Sequence, residues 1–440
     1  MATKPSAPAI RTTRQKDHDA MFKTSHLGGM AFSLSVLALA GGMPSPAQAD
    51  FFADSKASLL IRNYYYNRDF RQEGGSSTGQ SHADEWAQGF ILNYESGFTE
   101  GALGFGIDAV GMWGIRLDSS PGRAGTGLLP VHNDGDVPND YGKMGAALKL
   151  RYSKSLLRYG TLFPRMPTVM PNETRLFPTY FRGASLVSQE IDGLTLNVGR
   201  LTHLIERNSS ASEDITMVNK GMEGLDPTDQ FDFAGIKYKW SDNLTTAYDY
   251  ANLDNNYHQH FFTLNHRLPI DGLRSLATDL RFARSSDDGD SNVDNKAINA
   301  MFVYKQAAHS FGLGYQKMIG DTGFAYIAGT DPYLVNFAQV NDFANPGEKS
   351  WQLRYTYDFA TLGIPGLTFM TRYLSGRDIR RVDGSKGEEW ERDIYVDYVF
   401  QSGLLKNLSL QWRNAVLRND GSGNDLDENR LIVTYTMPLL

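Results

Sequence analysis

From about Leu59 to the C-terminus the chain alternates in steps of two. In segment 103–117, Leu103, Phe105, Ile107, Ala109, Trp113, Ile115 and Leu117 share one parity, while Gly104, Gly106, Asp108, Gly114 and Arg116 hold most of the other. Successive side chains of a β-strand point to opposite faces. The segment therefore has one apolar, aromatic face and one small or polar face. The pattern recurs along the chain, and its polar face carries charge. A soluble sandwich buries its apolar face. A chain that repeats this pattern behind a secretory signal reads as a transmembrane β-barrel, with apolar side chains toward lipid and polar ones toward a wet lumen.

The alternation predicts strands over 58–70, 84–97, 101–117, 142–154, 155–163, 184–191, 194–204, 231–240, 243–252, 258–268, 275–284, 296–305, 308–317, 349–359, 366–375, 391–400, 406–418 and 428–438. That is eighteen, an even number as bacterial barrels require. Short connections such as Ile191-Asp192-Gly193, Ser241-Asp242 and Gln306-Ala307 belong at a periplasmic rim. Long ones over 71–83, 119–141, 164–183, 205–230, 285–295, 318–348, 376–390 and 419–427 belong outside, where 252–258 is the one short turn. Little room is left for a plug domain ahead of the barrel, which argues against an energised receptor.

The N-terminal region follows another logic. Met30 to Met43 is an apolar run preceded by Lys23, and Ala47-Gln48-Ala49 forms a small-residue cleavage site before Asp50. We read 1–49 as a signal peptide with an upstream extension, translation starting at Met1 or Met21, and 50–440 as the barrel. No later stretch approaches the ~18 apolar residues of a membrane helix. The first 49 residues hold five Lys or Arg against two Asp, which moves the charge of the mature chain from −7 to about −10 and disfavours nucleic acid as a partner. The 12 % aromatic content suits interfacial girdles, and the lack of cysteine removes disulfides and thiolate metal sites.

Parity also assigns charges to faces. Trp351, Leu353, Tyr355, Tyr357 and Phe359 face lipid, so Gln352, Arg354, Thr356 and Asp358 face the lumen. By the same rule Arg372, Arg413, Arg430, Arg62 and Arg68 point inward, with Tyr64 and Tyr66, and strand 391–400 adds Asp393 and Asp397. An Arg on the lipid face costs ~2–4 kcal/mol at the midplane. Guanidinium groups bind carboxylates bidentately, and several in series let an anion pass along without a deep well. The bland reading of each Arg is wall packing against lumenal Asp.

Loop 164–183 carries Pro164, Pro167, Pro171 and Pro178, which lower its ordering cost. Its apolar Met166, Val169, Met170, Leu176 and Phe177 fit a loop folded into the barrel as a constriction better than one in solvent; a surface loop packed on its neighbours is the alternative.

The segments LLIRNYYYNRDF (59–70), YESGFTEGALGFGIDAVG (94–111), TGLLPVHNDG (126–135), RLFP (175–178), NPGEKSWQLRYTYDFATLGIPGLTFMTRYLSGRDI (345–379) and NRLIVTYTMPLL (429–440) resemble the OprD-type (Occ) outer-membrane carboxylate channels across essentially the whole mature chain. The resemblance implies an all-β, eighteen-stranded transmembrane barrel, monomeric or weakly trimeric. It also implies an eyelet of inward-folded loops and a basic ladder for carboxylate substrates. Arg62, Arg354, Arg372, Arg377, Arg413 and Arg430 fall within matching motifs as ladder residues. Loop 164–183, with Pro167, Met170, Pro171, Arg175, Leu176, Phe177 and Pro178, matches the family's constricting third outer loop, and 318–348 its seventh. The family divides broadly into channels for basic amino acids and for cyclic or aromatic carboxylates. The stretches RLTHLIERNSSASEDIT and PTVMPNETRLFP resemble the second group.

The resulting expectation is passive diffusion of small carboxylates across the outer membrane of a Gram-negative bacterium. No cofactor is implied, and lipopolysaccharide, outer-membrane lipids and the barrel-assembly machinery are the expected partners. A basic amino-acid channel, a non-selective or sugar porin and an adhesive barrel stand as alternatives. A barrel hydrolase is more distant, since His82, His203 and His258 sit in no hydrolase frame. Asp287-Asp288-Gly289-Asp290 lacks the closing Glu of a calcium loop.

Overall fold

A computed structural model describes residues 51–71, 79–420 and 423–440. The predicted cleavage site at Ala47, Ala49 and Asp50 lies outside the described residues. Eighteen strands run β1 Lys56–Phe70, β2 His82–Glu95, β3 Leu103–Asp118, β4 Asp140–Tyr152, β5 Ser155–Leu162, β6 Tyr180–Ser188, β7 Leu194–Ile205, β8 Phe231–Ser241 and β9 Leu244–Leu253. They continue as β10 Tyr257–Pro269, β11 Arg274–Asp287, β12 Asp294–Gln306, β13 His309–Ile319, β14 Lys349–Asp358, β15 Leu367–Arg380, β16 Lys386–Val399, β17 Ser409–Asn419 and β18 Leu426–Pro438. Each pairs antiparallel with its chain neighbours, and β1 with β18 from Ser58↔Pro438 to Phe70↔Leu426, so the sheet closes without an edge.

The outward face is apolar and open: Phe105, Leu148, Phe311, Leu353 and Leu431 each keep half or more of their surface. In water such a belt would be a large exposed patch; in a bilayer it is the lipid contact. Two aromatic girdles bound it. Trp351, Tyr373 and Trp390 stack toward the long-loop end, with ring centroids 5.6 and 5.7 Å apart. Tyr238 with Trp240, and Tyr398 with Phe400, lie toward the short-turn end. Short turns face the periplasm in such barrels. Outward-facing Arg392 is an exception to the apolar face; it is half-buried and donates to Asn414 near the loop-end rim.

Three segments differ from the alternation reading. β6 begins at Tyr180 rather than 184, so the constriction loop is 163–179. β15 and β16 run on through most of the expected loop 376–390, leaving 381–385, with a register shift between Arg377 and Ile379. That bulge interrupts the two-residue beat, and the interruption reads in sequence as a loop. Phe359 opens a short 3₁₀ turn, Phe359–Leu362, capped by the Asp358 side chain accepting from Ala360 N.

Candidate functional site

Register sets the lumenal wall. Arg354, Arg372, Asp393, Ala415, Glu428 and Arg68 form one row across β14–β18 and β1. The next row toward the turn end carries Tyr395, Arg413, Arg430 and Tyr66. Arg62 lies four residues further along β1, opposite Thr434. Five of the six expected ladder arginines thus share one wall. Arg377 does not: it has the parity of Tyr373, is exposed and stands on the outward face. The motif that carried it into the set crosses from one face to the other.

The five differ in what holds them. Arg372 Nε donates to Asp393 Oδ2 at 2.6 Å, Nη1 to the Phe337 carbonyl and Nη2 to the Tyr395 hydroxyl, all out of water. Arg430 is paired with Glu428 and donates to the Gln339 carbonyl, also without exposure. Arg68 shares Glu428 at 2.8 Å. By contrast Arg413 is half-buried; Nη2 donates to Gln411 at 3.1 Å, Nε has no partner, and the guanidinium lies 5.2 Å from the Tyr395 ring. Arg354, half-buried, has neither hydrogen bond nor ion pair among the described residues. Arg62 Nη1 donates to the carbonyls of Arg175 (2.7 Å) and Leu176 (3.2 Å), leaving Nε unpartnered.

Loop 163–179 folds into the lumen as expected. Leu176 and Phe177 are fully buried over Gly89 and Gly114, whose small size makes the seat: a Cβ on Gly114 would lie 2.6 Å from Tyr141 Cε1 and 3.0 Å from Leu176 Cδ2. Tyr64 donates to the Thr174 carbonyl, and Lys143 Nζ to that of Pro178. Arg175 is 1 % exposed, its Nη2 donating to Tyr66 at 3.2 Å; burial lowers its pKa to about 10, so it stays charged at neutral pH. Pro171 is buried and bridges to Thr330, while Pro167, Met170 and Pro178 are half-buried. Asp331 N donates to the Met170 carbonyl at 2.8 Å, joining this loop to 320–348.

The second loop is seated by polar groups. Gln339 Nε2 donates to Glu428 Oε1, and the Val340 and Asn341 amides to the two oxygens of Glu391 at 2.8 Å. Gln316 donates to the Asp342 and Phe343 carbonyls, and Gln352 to that of Val335.

A family model described as outer membrane porin, OprD family, matches residues 49–439. This chain belongs to the OprD family. Porin D of Pseudomonas aeruginosa is 36 % identical, over 93 % of this chain and 99 % of its own. The porin-like protein GalP of Pseudomonas putida is 37 % identical, over 92 % and 97 %. Among solved structures, P. aeruginosa OpdQ matches with 56 % identity and a TM-score of 0.81, covering 89 % of this chain and all of that one. P. aeruginosa OccK9 (OpdG) matches with 45 % and 0.85, covering 88 % and all of that chain. The protein is thus an outer-membrane porin, a channel rather than an enzyme.

In this OprD-family porin the alternation reading missed the lumenal acids. Glu428 shares the parity of Arg430 and Glu391 that of Asp393 within the predicted strands, and a longer β16 would have added Glu389. Arg281, paired with Asp279 at 2.5 Å and 3.7 Å from the Tyr333 ring, carried the same signal. The backbone donors of loop 320–348 have no signature in side-chain pattern. Among the described residues no cluster fit to hold a metal ion occurs, 287–290 included.

Proposed function

We propose that this porin passes small carboxylate-bearing solutes by passive diffusion, favouring cyclic or aromatic ones, and that Arg62, Arg354 and Arg413 carry the solute. The observation behind this reading is that these three lumenal guanidiniums are half-buried rather than dry and form no ion pair among the described residues. Neighbouring Arg372 and Arg430 are dry and ion-paired with Asp393 and Glu428. A charge-assisted hydrogen bond is worth about 1.5–3 kcal/mol, enough to replace part of a carboxylate's hydration yet weak enough for release. In this scheme the solute enters past loops 163–179 and 320–348, passes Arg354 and Arg413, and leaves near Arg62. Arg372 and Arg430 act as positioning residues for loop 320–348. Lipopolysaccharide and the assembly machinery are the proposed partners at the membrane, and N-terminal sequencing of the mature protein tests cleavage before Asp50.

Uptake into proteoliposomes, comparing a benzoate-like carboxylate, arginine and a neutral sugar, tests the reading. Faster entry of the cyclic carboxylate, lost in Arg413→Gln, supports it. Preference for arginine makes the chain a basic amino-acid channel, and equal rates make it a general pore.

A further inference from the structure

The outward face carries a second set of cations that the channel does not use. Lys317, Lys349 and Arg377 are register partners on β13, β14 and β15, side by side at the loop end of the barrel. On each strand they follow the outer girdle: Lys317 comes after Tyr315, Lys349 lies two residues beyond Trp351, and Arg377 four beyond Tyr373. Two residues of strand span about 7 Å, which sets Lys317 and Lys349 at headgroup depth, just outside the apolar belt. Lys296 on β12 and Lys386 on β16 flank the row.

Compensation is incomplete here, unlike at several other outward cations of the rim. Outward Arg200 is paired with Asp232, Arg284 with Asp294 and Arg418 with Asp427. In the patch Lys349 and Lys386 share one carboxylate, Asp378, at 2.6 Å each. Lys317 and Arg377 have no hydrogen bond or ion pair among the described residues, although Glu388 stands across from Arg377. Five cations thus face two carboxylates, on a chain whose net charge is −7. Unpaired cations of both Lys and Arg type beside an aromatic girdle match a phosphorylated lipid headgroup, with Arg supplying a bidentate fork.

We infer that this strip, centred on Lys317, Lys349 and Arg377, is a docking site for the phosphate groups of the outer leaflet's glycolipid, lipopolysaccharide. The bulge at Asp378 serves it, because this residue's positive φ turns its carboxylate to hold Lys349 and Lys386 together without neutralising both. The site is independent of the solute reading, since none of its residues faces the lumen.

The test is native mass spectrometry of the full porin folded in detergent, titrated with bisphosphorylated lipid A and with the dephosphorylated lipid of identical acyl chains. Wild type is expected to retain the phosphorylated lipid at a concentration at least about tenfold lower. The triple variant Lys317→Gln/Lys349→Gln/Arg377→Gln is expected to erase that difference, and Arg200→Gln to keep it. Equal retention of the two lipids, an unchanged triple variant, or displacement of the lipid by millimolar inorganic phosphate overturns the proposal. Heat-modifiable gel mobility reports folding. If the triple variant does not fold, Lys317→Gln and Arg377→Gln singly must each reduce the preference severalfold, or the proposal fails.

Discussion

Two stretches of one lumenal wall carry the same residue type in the same register rows and treat it in opposite ways. Beneath loop 320–348, Arg372 and Arg430 are dry and bound on several sides by Asp393, Glu428 and the carbonyls of Phe337 and Gln339. Beside it, Arg413 faces Arg430 directly across the β17–β18 pair yet stays half-buried and forms no ion pair among the described residues. The difference is what the loop covers. A lumenal guanidinium under a loop becomes a fastener, because a buried charge must be paired and hydrogen-bonded. A lumenal guanidinium left open keeps donors for a passing solute. Parity alone therefore overcounts the residues available to a substrate.

The comparison breaks most visibly through Arg372. Arg372→Ala strands the carboxylate of Asp393 and removes a donor from the Phe337 carbonyl. Urea unfolding should show a loss of about 3–5 kcal/mol, with faster proteolysis within 320–348; an unchanged midpoint would mean that Arg372 is no fastener. Gly114→Val attacks the other seat. Its side chain would overlap Tyr141, Leu176 and Phe177, costing about 1–3 kcal/mol and pushing loop 163–179 off the wall. Single-channel conductance in KCl should change, whereas Gly111→Val, with open space around its Cβ, should leave it alone. Arg413→Gln lies on the open side. It should leave stability within about 0.5 kcal/mol while slowing carboxylate uptake about tenfold, the equivalent of one charge-assisted bond. The smallest effect is at Glu348, which precedes β14. Burial, then the neighbouring Glu389 carboxylate, raises its pKa well above the ordinary 4.5. The stability contributed by its protonated form is full below about pH 4.5 and fades as pH rises through the folded value. Glu348→Gln should remove that pH dependence with little or no loss at acid pH, read as melting temperature against pH.

The sequence carried the strands well because lipid favours apolar side chains at outward positions of the belt, so the beat reads in each of the eighteen despite exceptions such as Arg392. It carried the inward loop, expected at 164–183, because its prolines and its apolar Leu176 and Phe177 fit an interior better than solvent. The matching Gly114 was visible on the polar face before its purpose was. What stayed hidden depends on contact across distant chain. Whether Arg430 is wet or dry is decided by Gln339, ninety-one residues away, and the fastening groups of that loop are largely backbone amides. Arg377 shows the opposite failure: its motif matched, but its odd parity puts it on the outward face, opposite to Arg372.

The most direct test of the central claim is reversal potential in a planar bilayer under a gradient of the potassium salt of a cyclic carboxylate. Wild type should favour the carboxylate over potassium, and Arg62→Gln/Arg354→Gln/Arg413→Gln should shift the potential strongly toward potassium while the barrel stays folded. A triple variant with the wild-type reversal potential would contradict the account, since the open arginines would then carry no solute.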